Sequence, residues 1–419
     1  MQRLIRRLYA GLLCTACSLA QTASPPHALT WQETEQKFKV NNPTLRAGRL
    51  TVDQSRADEI TAYLRPDPDL NIVADDLGIF QYHPFQPAAN AILAGSVSYL
   101  HEREHKRELR LESAQQATGI AISSQTDLER NLLFSLRDAF VRVLLAKAVR
   151  QVAKDNLDYY DREIEINRAR FDLGAMSKVD FQRVELQRVQ YESDLAASEV
   201  NLRTAKIDLL QFLRDRTPID QFDVNENFDY DEPTTTLEDL RTIAIQTRPD
   251  LKEALQSLEK AKTDHRLAIA NGSADPTWSV DVGRQPPLAF YAGVSLSIPL
   301  RIFDKNQGEK IKTQLEISRG ERLHEAAEIA ALHDVDSAYA TLRNTLGLLR
   351  PYKSKYLKES EDIRSTVSFS YLHGAASLLD FLDAQKQYRD TQLNYLNLIG
   401  AYLNASNQVN FAVGREVLR

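Results

Sequence analysis

One short stretch occurs twice in this chain and dictates how everything around it can fold. Gly174-Ala175-Met176-Ser177-Lys178-Val179-Asp180-Phe181 returns 200 residues later as Gly374-Ala375-Ala376-Ser377-Leu378-Leu379-Asp380-Phe381. Each copy sits where one long helical pattern ends and another begins. A glycine just past a helix is a C-terminal cap, because it takes a left-handed conformation without strain. Ser-x-x-Asp directly after it reads as the N-cap and capping box of the next helix. Two long helical hairpins in tandem are therefore the expected skeleton.

The helices are too long for a compact ball. Between Gly95 and Pro218 there is no proline, and the only glycines are Gly119 and Gly174. At ~1.5 Å per residue, a helix over 106–173 would reach roughly 100 Å. Such a rod buries its apolar stripes only against lateral neighbours, from its own repeat or from other subunits.

The N-terminus reads as an export signal over residues 1–20: Arg3, Arg6 and Arg7, the apolar run Leu8–Leu13, then Ala16, Ser18 and Ala20. Both cysteines, Cys14 and Cys17, lie inside it. Cleavage after Ala20 leaves no thiol; lipidation at Cys17 is the alternative. Removing residues 1–20 takes three of the 52 basic side chains, leaving 49 against 58 acidic and a net charge of −9. That balance speaks against nucleic acid as a partner. No run of 18 apolar residues occurs, so any membrane span has to be made of strands.

A first repeat is expected over 21–213. It opens with a helix from about Thr30 to Val40 and a second helix at Asn42-Pro43-Thr44-Leu45. Strands at about 69–76 and 92–100 follow, then a helical hairpin over about 106–213. An acidic, irregular linker over 214–236 leads to the second repeat at 237–413. There Arg248-Pro249-Asp250-Leu251 opens the second helix, strands are expected at about 277–283 and 289–299, and the hairpin covers about 309–413. Pro351 should kink or break its first helix. Residues 414–419 form a tail. The strands alternate, with Trp278, Val280 and Val282 set against Ser279, Asp281 and Gly283, and are joined by proline-bearing loops at Tyr82–Asn90 and Arg284–Leu288. They are either half-buried soluble hairpins or wall strands of a transmembrane barrel, which four strands close only in an oligomer. A two-stranded hairpin between such rods has no core to lie on, which favours the barrel.

Over the mature chain this arrangement resembles the TolC-like outer membrane efflux proteins. The resemblance implies a mainly α fold with a small β part. Duplicated helical hairpins form a periplasmic α-barrel, and four strands per chain join a trimeric 12-stranded transmembrane β-barrel. Ser370-Tyr371-Leu372-His373-Gly374 and Leu379-Asp380-Phe381-Leu382-Asp383-Ala384 are similar to the family's second tip and the helix after it. Glu102, Lys106-Arg107 and Arg110, with Ile298-Pro299-Leu300 and the run from Phe303 to Glu309, are similar to the heavy-metal efflux subgroup.

The resemblance further implies an outer membrane location in a Gram-negative bacterium with a large periplasmic part. The partners implied are two further copies of the chain, outer membrane lipid, a periplasmic adaptor and an inner-membrane pump of the resistance-nodulation-division type. Asp380 and Asp383 match the family's periplasmic gate ring. Tyr371, with Asp180 as its partner, matches a latch between hairpins, although Ala376 stands where the family has a tip arginine. Gly174, Ala175 and Ser177, with Gly374, Ala375 and Ser377, are the expected adaptor-docking tips. Such a passive export duct, suited to heavy-metal cations, carries no catalytic residue, cofactor or resident metal. The alternative is a secreted or periplasmic coiled-coil hairpin protein without a barrel.

His101-Glu102-Arg103-Glu104-His105 spells the H-E-x-x-H of zinc proteases, with Glu129 spaced like a third ligand. His101 follows directly on a strand, however, where the helical phasing that motif needs has barely begun. The stretch reads as a solvated charge cluster at the barrel exit.

Overall fold

A computed structural model describes residues 28–77 and 90–418. The signal segment with Cys14 and Cys17, and most of the Tyr82–Asn90 loop, lie outside the described residues. The first repeat contains β1 (Ala28–Leu29), α1 (Trp31–Asn41), α2 (Pro43–Tyr63), β2 (Asp69–Asp75), β3 (Ile92–Leu100), α3 (Lys106–Asp172) and α4 (Lys178–Leu213). After β4 (Asp223–Val224) the second contains α5 (Leu237–Thr247), α6 (Pro249–Ala270), β5 (Thr277–Gln285), β6 (Leu288–Ser297), α7 (Gln307–Pro351), α8 (Leu357–Leu372) and α9 (Leu378–Val413).

Local chemistry explains the boundaries. Thr30 caps α1 with a full capping box to Glu33. Asn42 accepts from the N–H groups of Thr44 and Leu45, and Pro43 supplies a first-turn residue that needs no donor. Both tips are Schellman turns. Gly174 and Gly374 take φ of 74° and 76°, and Ala175 N–H donates to Arg170 C=O as Ala375 N–H does to Ser370 C=O, each at 2.8 Å.

Four strands form one antiparallel sheet in the order β2-β3-β5-β6. Strand β5 runs two residues further than expected, and only Pro286 and Pro287 separate it from β6, so the Arg284–Leu288 loop shrinks to a tight turn. The linker is less irregular than its composition implies. Its β4 pairs in parallel with β1, tying the start of the chain to the junction between repeats.

The helices repeat the order of the strands. Beside the sheet α2 packs on α3, α3 on α6 and α6 on α7; further away the order is α4, α3, α9, then α7 and α8. Where the two stretches meet, each repeat builds its own core. Phe38 and Leu45 close on Leu136, Phe140, Leu209 and Leu213 in the first. Leu240 and Ala244 close on Leu342, Leu346, Tyr402 and Val409 in the second. Each fully buried phenylalanine or leucine here contributes about 2–3 kcal/mol.

Pro351 neither breaks nor sharply ends the helix. A π-turn over Tyr352–Tyr356 carries the chain directly from α7 into α8. Proline has no N–H for the carbonyl of Gly347, and widening the next turn by one residue absorbs that loss. Buried positions Val335, Leu342 and Leu349 recur every seven residues, then continue after a step of eight, on the half-buried Leu357 and Arg364 and the buried Tyr371. The extra residue of the π-turn keeps this face in phase.

Candidate functional site: the channel wall and its two ends

The sheet has one apolar face and one polar face. Register places Leu70 opposite Val97, Val97 opposite Val280 and Val280 opposite Val294; a second row joins Tyr99, Trp278 and Leu296. Nearly all of these side chains are exposed, Leu70 at 69% and Val294 at 73%. On the other face Asn71, Ser96, Asp281 and Gly293 form one row and Asp69, Ser98, Ser279 and Ser295 the next. Apolar-out and polar-in alternation over strands of 7 to 10 residues is the pattern of a wall between lipid and water. No helix is long and apolar enough to cross a membrane among the described residues. Among the described residues, strands β2 and β6 leave their outer edges unpaired, which a closed barrel would pair.

At the exit from the sheet the charged cluster is a set of ties. Lys106, almost fully buried, donates from Nζ to Asp275 Oδ2 at 2.6 Å and to Ser273 C=O at 3.0 Å. Arg103 N–H reaches the other Asp275 oxygen at 2.9 Å. Burial pushes the Asp275 carboxyl up, but these donors outweigh it and hold the group below the usual carboxylate range. Arg110 grips Glu102 with both ends of its guanidinium, the second bond at 2.8 Å. Arg107 lies 4.6 Å from the Tyr63 ring. The H-E-x-x-H run is accordingly no helical zinc motif. His101, Glu102 and Arg103 precede the helix, Glu104 and His105 take left-handed φ of 56° and 54°, and Glu102 is held by Arg110. Glu129 pairs with Lys39 at 2.9 Å. Among the described residues no group of three or more His, Cys, Asp or Glu side chains is placed to hold a metal.

At the far end, Ser377 and Asp380 form a complete capping box that holds the Asp380 carboxyl below its usual range, through the Ser377 hydroxyl first and its N–H second. In the first tip Ser177 caps the Asp180 N–H at 3.1 Å, while the Asp180 carboxylate takes the Ser177 hydroxyl at 2.8 Å. Asp383 lies one turn beyond Asp380 on α9, exposed, and accepts from Gln387 at 2.7 Å. The four tip positions Gly174, Ala175, Gly374 and Ala375 are all exposed, as are Ser177 and Ser377.

The expected pairing of Tyr371 with Asp180 is corrected. The Tyr371 hydroxyl donates to Asn167 Oδ1 at 2.9 Å, and Asp180 is spent on Ser177 and on Arg183, 3.8 Å away. Arg170 lies 4.7 Å from the Tyr371 ring, so an arginine on α3 meets the tyrosine although Ala376 has replaced the one at the second tip. Burial raises the Tyr371 hydroxyl above its ordinary value, more than Arg170 lowers it. Phe381 stacks on Tyr371 at 4.8 Å and Phe171 at 5.2 Å stacks on Phe181. Higher up, Arg364 of α8 lies between Tyr159 of α3, at 4.3 Å, and Tyr388 of α9, at 3.8 Å. Asn167, Arg170, Asp275 and Arg364 are functional candidates that sequence reasoning missed, because nothing local marks their partners.

The lower hairpins keep an uncovered edge. Val179, Leu186, Val200 and Ile207 on α4 are exposed and fall on one seven-residue repeat, with Ser193 filling the remaining place. Leu348, Tyr356 and Ile363 are exposed on the opposite edge, and the π-turn keeps them in phase. A strict seven-residue apolar stripe is the signature of helix packing in a left-handed supercoil.

The family model described as outer membrane efflux protein matches residues 240–415. The cobalt-zinc-cadmium resistance protein CzcC of Cupriavidus metallidurans is 20% identical, over 90% of this chain and 87% of its own. Residues 240–415 thus match the outer membrane efflux protein family, and nearly the whole chain is similar to TolC-like proteins. Outer membrane protein TolC of Escherichia coli is 22% identical over 95% of this chain and 84% of its own. Among solved structures, that of CusC superposes with a TM-score of 0.78 at 18% identity, over 95% of this chain and 96% of the other. The Vibrio cholerae outer membrane protein VceC gives 0.73 at 15% identity, over 92% and 96%. The polar-in strand face and the helical layer continuing it are thus the two segments of an efflux channel in the outer membrane.

Proposed function

We propose that this efflux protein is the passive duct of a tripartite system, a homotrimer without catalytic chemistry that exports heavy-metal cations. It would be reached through a periplasmic adaptor from an inner-membrane pump of the resistance-nodulation-division type. The observation that carries the reading is the common order of strands and helices. Each edge strand of the sheet continues into an edge helix, so closing the sheet between copies closes the helical layer by the same operation. A secreted coiled-coil hairpin would have no use for a sheet that is apolar on its outer face. The name of the cobalt-zinc-cadmium resistance relative favours metal cations as cargo. A strain lacking the gene should accumulate zinc, cobalt or cadmium and recover on complementation; unchanged metal tolerance with lost tolerance to organic toxicants would end the metal assignment.

Asp380 and Asp383 form the gate in this reading, since three copies bring six carboxylates to one axis, where like charges repel and draw cations. Asp380→Ala with Asp383→Ala should remove cation selectivity in planar bilayers, together with block by multivalent cations from the periplasmic side. Tyr371 remains the latch between hairpins, with Asn167 and Arg170 as its partners. Gly174, Ala175, Ser177, Gly374, Ala375 and Ser377 would receive the adaptor. Replacing Ala175 and Ala375 with arginine should abolish export and leave trimers in the outer membrane; persistent export would move docking elsewhere.

A further inference from the structure

A cleft of about 270 Å³ lies where α1, α3 and the end of α9 meet, far from the gate aspartates in sequence and on no part of the sheet. Its apolar walls are Trp31, Leu133, Phe134 and Phe411. Arg137 lines the same space with its guanidinium 4.4 Å from the Trp31 ring. Among the described residues it makes no hydrogen bond and no ion pair, although a guanidinium carries five donors.

Apart from the exposed Arg415 and Glu416, the neighbouring charges are already committed. Arg130 is held by Asp127 at 2.6 Å and by the Phe411 carbonyl at 2.7 Å. Glu35 and Glu129 share Lys39, at 2.8 and 2.9 Å. Glu226 accepts from the Trp31 N–H at 3.2 Å. Arg137 and the exposed Arg415 are thus the cations lining the cleft whose donors are unused among the described residues, and of the two only Arg137 is half-buried and set against the Trp31 ring. Burial pushes its guanidinium down, against the weaker pull of Glu416, Glu226 and Glu35.

We infer that this cleft is a binding site for a small amphipathic monoanion, an apolar or aromatic body bearing one carboxylate. The carboxylate would take the forked donors of Arg137 and the body would lie among the three aromatic rings and Leu133. The one half-buried unspent cation matches one negative charge, and the lining carboxylates Glu35, Glu129 and Glu416 disfavour a second.

Trp31 is also the natural reporter, because the only other tryptophan, Trp278, lies in the sheet. Full-length trimers in mild detergent, carrying Trp278→Phe, are titrated with 1-naphthoate, with neutral 1-naphthamide and with the cation 1-naphthylmethylammonium. Naphthoate should quench Trp31 saturably, with a dissociation constant on the order of 100 µM, and the other two at least about tenfold more weakly. Arg137→Met should abolish the preference for the anion, and Arg137→Lys should retain part of it. Leu133→Phe fills the cleft without touching its charge and should abolish binding of all three, with trimers preserved on native gels. Absent saturation, equal quenching by the three probes, or an anion preference that survives Arg137→Met would each overturn the site.

Discussion

Lys106 shows how far one side chain at the mouth of the sheet can be read. Its place in a run of basic residues is visible in the sequence, but Asp275, which it binds, is 169 positions away. With that bond the folded pKa of Asp275 lies below its unfolded value, so the pair contributes stability above about pH 4 and loses it as pH falls through the folded pKa. Lys106→Met should cost about 3 kcal/mol near neutral pH, because it strands a mostly buried carboxylate. The difference from the parent chain should shrink as pH falls below about 4 and vanish below the depressed folded pKa, where Asp275 is protonated in both. Thermal unfolding followed by circular dichroism across pH 3–7 measures it; a pH-independent difference would remove Asp275 from the account. Tyr371 teaches the same lesson from the other end. Its importance was legible from the tip motif, but its partner was not, since Asn167 and Asp180 are both acceptors within reach of the turn and only packing chooses between them.

Among the elements, the α7–α8 rod carries the sharpest departure from expectation. Proline in a helix reads as a break, yet the π-turn converts it into a phase correction that keeps Arg364 and Tyr371 facing their partners on α3 and α9. Deleting Ser354 would restore ordinary helical spacing and rotate everything after it by about 100°. Far-UV circular dichroism should then stay essentially unchanged, while protease cleavage near the second tip rises and the channel leaks. If the deletion variant keeps a protease-resistant, closed tip, the π-turn has no role in register. The sequence does contain the signal, a seven-residue apolar spacing interrupted once by eight, but it is easily lost beside a proline.

For the whole molecule the decisive feature is the pair of uncovered edges. Among the described residues a single chain leaves the outer edges of β2 and β6 unpaired and exposes the α4 stripe, with Leu186 at 71% and Val200 at 62%. Leu186→Glu with Val200→Glu places charge in the seam between copies without touching the buried face of α4. Cross-linking in outer membranes should then yield monomers where the parent chain yields trimers, with helical content retained. Intact trimers in that variant would assign the stripe to another contact.

The amino-acid sequence alone determined the tandem duplication, both tip turns, the hairpins and the existence and number of the four strands. These rest on local rules, namely left-handed glycine, side-chain caps, proline at a first turn and the two periodicities of 3.6 and 2. Tertiary structure decided the order β2-β3-β5-β6, the matching order of the helices, the β1–β4 pair and the partners of Lys106, Tyr371 and Arg364. Those contacts join residues far apart in the chain. Which of several equally suitable acceptors, rings or edges meets a given side chain is settled by the packing of whole rods, and no local spacing encodes it.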